Sequence, residues 1–351
     1  MFAGRFSKAS GKKCLILFER NRISYSQVYP FMAFADEFRR DHDAEFRLVP
    51  TDDIVNDGIR KEHSDATHIL LQTWLLDPPE KLNKALERIS ELKSKPRLIY
   101  LDSFANNDVR LAEYLKDFDL YYKKSIPRDT SLLLKSTRGH TYLGEFYDDL
   151  YGNTRDSMNW GVPPEFIEKL RLSPNFLTDP DLMKTFLKSE RVPSAQGREI
   201  DVHARLGGMK DKSWYGAMRR DADERIGKLE GIVIARGGGI SRKAFMRELT
   251  QSKVCFSPFG YGELCWRDIE AFASGSVLLK PDMSHLMTEP DLYRDGETYV
   301  SIKWDLSDLE GKISDLLTDD DRREHIARTA WKKCKSYLEE SIPVRAYNDI
   351  F

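Results

Sequence analysis

Between Ser252 and Pro281 the chain reads SKVCFSPFGYGELCWRDIEAFASGSVLLKP, and its polar residues are of the kind that grip a phosphorylated ligand. Glu263, Arg267 and Glu270 follow one another at spacings of four and three. On a helix they project from roughly one face of the first two turns. Gly260 and Gly262 sit in a Pro/Gly turn just ahead of them. The backbone N–H groups of such a turn and the positive end of the following helix favour an anion, and Arg267 adds a fixed positive charge. A carboxylate at Glu270 can accept bonds from two adjacent ribose hydroxyls. The other reading of these residues is a salt-bridged helix surface, with Glu270 paired to Arg267.

Further candidates lie where strands are expected to end. Arg205 is followed by Leu-Gly-Gly-Met and Lys210. Positive side chains around a glycine turn suit a diphosphate, whose charge grows as it leaves. Arg219 and Arg220 are substitutes for them, and an ordinary basic loop is the rival reading. Arg236-Gly-Gly-Gly-Ile-Ser241 joins a strand to a helix with Ser241 as N-cap. Glycines such as Gly238 let the backbone approach a planar ligand closely, or simply make a flexible turn. Asp282, Ser284 and His285 follow the next strand and can line a sugar pocket, although His285 reads equally as a surface histidine. A base that activates an acceptor hydroxyl has to lie within roughly 3 Å of it. Glu19, Asp52 and Asp102 are the candidates, each with a helix cap or turn carboxylate as its alternative.

The elements that must position these residues alternate. Apolar runs at Lys13–Phe18, Glu45–Pro50, Thr67–Trp74, Arg97–Asp102 and Leu120–Lys123 read as strands, with helices over Tyr25–Arg40, Pro78–Lys93 and Asp108–Lys116. The second half repeats the scheme. Strands are expected at Ile200–Ala204, Gly231–Ala235, Val254–Ser257, Val277–Lys280 and Thr298–Lys303, with helices at Trp214–Leu229, Ser241–Thr250 and Asp321–Leu338. The motif helix, carrying Glu263, Arg267 and Glu270, lies between the third and fourth of these strands. Alternation of this kind predicts an α/β chain with two Rossmann-like parallel-sheet domains facing a cleft. Trp160–Pro193, rich in proline and turn residues, is the linker candidate. Ligands then collect at the carboxyl ends of the strands.

The motif order of strand, Pro258-x-Gly260, Gly262, Arg267-x-x-Glu270-Ala271, Gly275, strand and Lys280-Pro281 resembles the donor motif of the GT-B glycosyltransferases, nearest in style to exostosin-like and bacterial polysaccharide transferases. The likeness covers about Glu199 to Tyr337. It implies a GT-B fold with an N-terminal acceptor domain over residues 1–172, a donor-nucleotide domain over 173–338, and a tail over 339–351 returning to the first domain. It implies that Glu270 binds the nucleotide ribose and that the Gly238–Ser241 loop lies near the base. Arg205 and Lys210 match an arginine and lysine five residues apart that stabilise the leaving diphosphate. The retaining group has two glutamates separated by seven residues, whereas Glu263 and Glu270 are separated by six. The function implied is metal-independent transfer of a sugar from a nucleotide sugar to a glycan or lipid-linked saccharide. A sugar-nucleotide epimerase and a non-catalytic glycan- or nucleotide-binding module are the alternatives.

Composition sets the remaining expectations. The chain has 351 residues, 40% hydrophobic and 32% charged, which suits a folded globular protein rather than a disordered one. A formal net charge of −2 offers no global basic field and predicts no nucleic-acid partner. Cys14, Cys255, Cys265 and Cys334 are scattered and read as free thiols. No Asp-x-Asp in an acidic cluster and no His/Cys spacing suggest a metal, and no cofactor beyond the donor is expected. Without a signal-peptide core at the N-terminus, a cytoplasmic location is expected. Tyr121-Tyr122-Lys123-Lys124 and the Lys332/Lys333/Lys335 cluster are basic-aromatic patches that read as a solvated face or as the place where a membrane surface or anionic lipid-linked acceptor would be met.

Overall fold

A computed structural model of the chain describes residues 2–138, 142–153 and 157–351. Two parallel sheets organise it. In the first, the strands run in the order Ala44–Pro50, Lys12–Phe18, His68–Leu71, Arg97–Asp102, Leu120–Lys123, Leu170–Leu172. In the second the order is Ile234–Arg236, Ile200–Ala204, Ser252–Phe256, Val277–Pro281, Val300–Ile302. Every pairing within both sheets is parallel. Their central strands are buried on both faces, as in Cys14–Leu17 and Val254–Phe256, which is why they read as unbroken apolar runs. The strand order reverses beside Lys12–Phe18 in one sheet and beside Ile200–Ala204 in the other. Glu19 and Arg205 therefore follow the strands at the two switch points, where open α/β sheets bind ligands.

Several elements depart from the sequence reading. The expected Tyr25–Arg40 helix is two helices, Arg22–Ala33 and Ala35–His42. Asn21 caps the first through a bond from Ser24 N–H to its Oδ1. The linker candidate contains the sixth strand of the first sheet, Leu170–Leu172, and a helix, Pro180–Lys188, capped by Asp179. The motif helix runs only from Trp266 to Ser274, with Asp268 Oδ2 accepting from the Cys265 N–H. Glu263 lies in the turn before it, so the shared helical face expected for Glu263, Arg267 and Glu270 does not form. The helix ends at Gly275, whose φ of 69° is left-handed. Buried Arg198 receives the helix end by donating to Ser274 O, and to Ser252 O and Ser276 Oγ. With only neutral acceptors around it, burial lowers the Arg198 pKa to about 10.

The units are joined at several places. Leu286–Thr288 pairs antiparallel with Ser125–Pro127 from the first half. Helix Tyr142–Tyr151 crosses to the second sheet's side, with Tyr147 Oη donating to Trp304 O and Tyr151 Oη to Asp221. After helix Asp320–Glu339 the chain returns to the first sheet. Tyr347 is fully buried there, its ring 4.4 Å from Phe31 and its hydroxyl donating to Gln27 O.

Candidate functional site

The turn between Phe256 and Trp266 lies directly against the first unit. Gly260 N–H donates to Gly262 O at 2.9 Å. A Cβ on Gly262 would stand 2.0 Å from Ala105 O, so no other residue fits while the Ser103–Arg110 loop occupies that place. The next residue, Glu263, is 1% exposed. Its Oε1 accepts from Asn107 Nδ2 of the same loop and lies 3.5 Å from His285 Nε2. Its Oε2 has no hydrogen-bond partner among the described residues. Glu263 thus joins the two units rather than decorating a helix.

Glu270 is buried on the helix face turned toward helix Arg242–Thr250. Its Oε1 lies 2.6 Å from Arg242 Nη1, and Arg242 is half-exposed. The alternative pairing with Arg267 does not form, because Arg267 turns the other way and donates from Nη2 to Arg205 O at 2.5 Å. Arg242 directly follows the glycine loop and its cap Ser241, whose Oγ accepts from Ala244 N–H. Gly238 is exposed in that loop, with open space around its Cβ position. Glu270, Arg242 and the glycine loop therefore share one corner of the second unit.

The remaining cations are distributed differently from the sequence expectation. Arg205 forms a two-point pair with Glu248 at 2.5 and 2.8 Å and also donates to Arg236 O. The carboxylate holds its pKa above the usual arginine value. Arg205 is therefore already engaged, and a diphosphate has to compete with Glu248 for it. Lys210 is exposed, six residues beyond the end of strand Ile200–Ala204. Arg220 organises the loop by donating to Met209 O and Asp211 O. Arg219 is buried and donates to Pro258 O and Phe259 O, which fixes the turn; burial depresses its pKa. Asp268 is a hub that motif reasoning passed over. It is fully buried and accepts from Ser257 Oγ and Tyr293 Oη, with Lys280 Nζ at 3.2 Å. Ser284 donates to Asp282 Oδ2, and both stay at the exposed loop.

On the first unit the three base candidates separate. Asp102 is fully buried and saturated: its Oδ2 accepts from Tyr121 Oη and Lys123 Nζ, its Oδ1 from the Phe104 N–H. It cannot receive an acceptor proton, and that assignment is corrected. Tyr121, Tyr122, Lys123 and Lys124 are likewise buried, not a surface patch. Glu19 and Asp52 converge with Asp77 on Lys81, each 2.8–2.9 Å away. Burial raises the Glu19 pKa against the pull of Lys81. Burial alone would lower Lys81, but the three carboxylates hold it above its usual value. Glu19 lines a cavity of about 650 Å³ with Asp52, Trp74 and Lys81. It also lines a neighbouring one of about 390 Å³ with Arg22, Tyr25 and Asp179. Arg22 in turn lies over the Trp266 ring at 4.5 Å, and its hydrogen-bonded pairing with Asp179 holds its pKa above the usual arginine value. Arg22 thus links the smaller Glu19 cavity to the first residue of the helix that carries Glu270.

Arg22, Asn107, Arg242 and Asp268 were not singled out by motif reasoning. Arg242 had a signal in its place after a glycine loop and helix cap, and Arg22 in its place one residue after the capping Asn21. Asn107 and Asp268 acquire roles only through tertiary contacts. Among the described residues no group of His, Cys, Asp and Glu side chains is arranged to hold a metal ion.

No family model matches the sequence, and no curated protein is similar to it. Solved structures do match along its whole length. An alpha-glucosyltransferase in complex with UDP-glucose and DNA containing an abasic site gives a TM-score of 0.53 at 10% identity, covering 97% of this chain and 98% of that one. The same figures for an alpha-glucosyltransferase with UDP and a 13-mer DNA containing an HMU base are 0.52, 11%, 97% and 98%. For an alpha-glucosyltransferase with UDP they are 0.51, 10%, 97% and 99%. The exostosin-like group is not singled out by these likenesses. The expectation of no nucleic-acid partner is corrected: structures of the same fold hold DNA, and a whole-chain charge of −2 says nothing about the local field along a cleft. The chain has the GT-B fold, two Rossmann-like α/β domains built on parallel sheets.

Proposed function

We propose that this chain is a glycosyltransferase that moves a sugar from a nucleotide donor to an acceptor hydroxyl, without a metal or other cofactor. Residues 173–338 would hold the donor, residues 1–172 the acceptor, and residues 339–351 would tie the tail to the first domain. The observation that carries this reading is the meeting of two switch-point sites. Buried Glu270, paired with half-exposed Arg242 beside an open glycine loop, stands on the helix whose first residue, Trp266, stacks on the Arg22 that lines the smaller Glu19 cavity.

In this reading Glu270 Oε2 and Oε1 accept from the ribose hydroxyls while Arg242 holds the carboxylate in place. Arg242, Lys210, Arg267 and an Arg205 released from Glu248 neutralise the leaving diphosphate. Glu19 takes the proton of the acceptor hydroxyl. The acceptor oxygen forms its bond to the anomeric carbon, and the electron pair of the broken bond leaves on the diphosphate. A base with a raised pKa is better matched to neutral pH than an ordinary carboxylate. Gly260, Gly262 and Glu263 close the turn between donor and first domain.

The acceptor classes are a glycan or lipid-linked saccharide, as the sequence resemblance implies, and a second reading, a hydroxyl-bearing base in DNA, favoured by the DNA in the similar structures. A thermal-shift screen with UDP, GDP, CMP, dTDP and their sugars tests the donor site. A ligand at 100 times its Kd stabilises the native state by about 2.7 kcal/mol. UDP is expected to raise the melting midpoint, and Glu270→Gln to abolish most of the rise. An unchanged rise in that variant removes Glu270 from the site. Incubation with donor alone, with oligosaccharides and with DNA carrying an HMU base then separates epimerase, saccharide transfer and DNA modification. Binding without turnover in all three would leave only a non-catalytic module.

A further inference from the structure

Four side chains from three parts of the chain are stacked across the junction of the two domains. Trp266, the first residue of the helix that bears Arg267 and Glu270, is sandwiched. On one side lies the Arg22 guanidinium at 4.5 Å; on the other lies the Phe176 ring at 4.4 Å, inclined by 24°. Beneath Phe176 sits Lys124 Nζ, 4.3 Å from the ring centroid. Arg22 and Lys124 belong to the first domain, Phe176 to the linking segment, and Trp266 to the second domain.

Both ends of the stack are pinned. Arg22 Nε and Nη2 donate to Asp179 at 2.9 and 3.1 Å. Asp179 is 2% exposed and also accepts from the Asp181 and Leu182 N–H groups at the start of helix Pro180–Lys188. Lys124, fully buried, donates to Ile23 O and Ser103 O, the latter at the start of the loop that meets Gly262. A guanidinium gripped at two points has a fixed plane, so the indole stacked on it has a fixed plane too. The sandwich therefore sets the direction in which helix Trp266–Ser274 leaves its first residue, and with it the placement of Glu270 four positions on.

We propose that Arg22 is a positioning residue: by holding Trp266 against Phe176 it sets the closed register of the two domains and aims the Glu270 helix at the ligand. The part concerning ligand rests on the proposed donor site; the part concerning register does not. Arg22→Ala, Arg22→Lys and Trp266→Leu test it. Hydrogen exchange over residues 266–274 and the radius of gyration from small-angle scattering report register, and calorimetry with UDP reports aim. Arg22→Ala and Trp266→Leu are expected to speed exchange in that helix, enlarge the radius of gyration and weaken UDP binding about tenfold, within the usual range of coupling between sites. Arg22→Lys, which keeps a cation over the ring, is expected to recover part of each effect. Unchanged exchange and radius in both Arg22→Ala and Trp266→Leu would overturn the proposal. So would an Arg22→Lys chain as impaired as Arg22→Ala. If UDP and the other nucleotides fail to bind the parent chain, the donor reading falls while exchange and scattering still decide the register. If Arg22→Ala does not fold, Trp266→Leu alone decides it.

Discussion

At the scale of single residues, the loop that seals the turn around Gly262 carries a buried charge with an incomplete shell. Asp108 Oδ2 accepts from Arg110 Nε at 3.2 Å, while Oδ1 has no hydrogen-bond partner among the described residues. Burial pushes its pKa up from 3.8 to about 6, against the opposing charges of Arg110 and Lys123. Between these values the folded chain binds more protons than the unfolded one, so stability falls as pH rises through that window and the full penalty stands above it. A displacement of that size corresponds to at most about 3 kcal/mol, with the attraction of Arg110 for the charged form already included. Asp108→Asn is therefore expected to stabilise the chain by about 1–2 kcal/mol at pH 7 and by almost nothing at pH 4. Urea denaturation of both chains at the two pH values measures the difference. An equal effect at both would show that Asp108 is not held in a charged state at its own cost. By contrast, Asp102 has its acceptor sites filled by Tyr121, Lys123 and the Phe104 N–H.

Among the elements, the glycines of the two candidate loops make a direct comparison. Gly262 has the first domain's backbone where a side chain would be, whereas Gly238 has open space. Gly262→Ala has to push the Ser103–Arg110 loop aside, and the overlap is with backbone that cannot rotate away. It is expected to cost about 1–3 kcal/mol or more, and Gly238→Ala within about 0.5 kcal/mol. Thermal melts of the two variants check this. Equal midpoints would mean that the domains do not meet at the turn. The glycine turn was legible in the sequence, but what it faces was not. The reason is general to this chain. Strands such as Lys12–Phe18 and Arg97–Asp102 were readable because burial on both faces leaves uninterrupted apolar runs, Cys14–Leu17 and Leu98–Leu101. The motif helix reads from the sequence as starting about one turn early, at Glu263, because its cap is a cysteine with Asp268 reaching back, a weaker signal than serine or aspartate. Helical spacing offered Arg267 as the only alternative partner of Glu270, whereas Arg242 from another helix takes that place. Lys123 and Lys124 read as surface residues since nothing local announces that Asp102 and a set of carbonyl oxygens will receive them.

For the whole molecule, the question is whether the two domains behave as one cooperative body. The long helix Asp320–Glu339 rests on helix Pro180–Lys188, with Lys335 Nζ donating to Phe186 O and Ser189 O. Beyond it, Tyr347 inserts between Phe31 and Tyr122, and Arg97 Nη1 donates to Ile350 O. The chain that finishes the second domain thus completes the core of the first. A second tie, the short ladder of Leu286–Thr288 with Ser125–Pro127, is only three residues long on each strand. Two strands of that length are weak on their own, so the tail is expected to carry more of the coupling. Tyr347→Ala removes a fully buried ring and leaves Gln27 O without its donor. Truncations of this kind cost about 3–5 kcal/mol. The loss falls on the first domain, while the second sheet keeps its own packing around Val254, Phe256 and Leu279. Calorimetry of the parent chain should then show one transition whose van't Hoff and calorimetric enthalpies agree, and Tyr347→Ala should split it in two, the first sheet melting earlier. If the variant instead melts in one step at a lower temperature, the ladder and the Arg22–Trp266 stack hold the domains together without the tail.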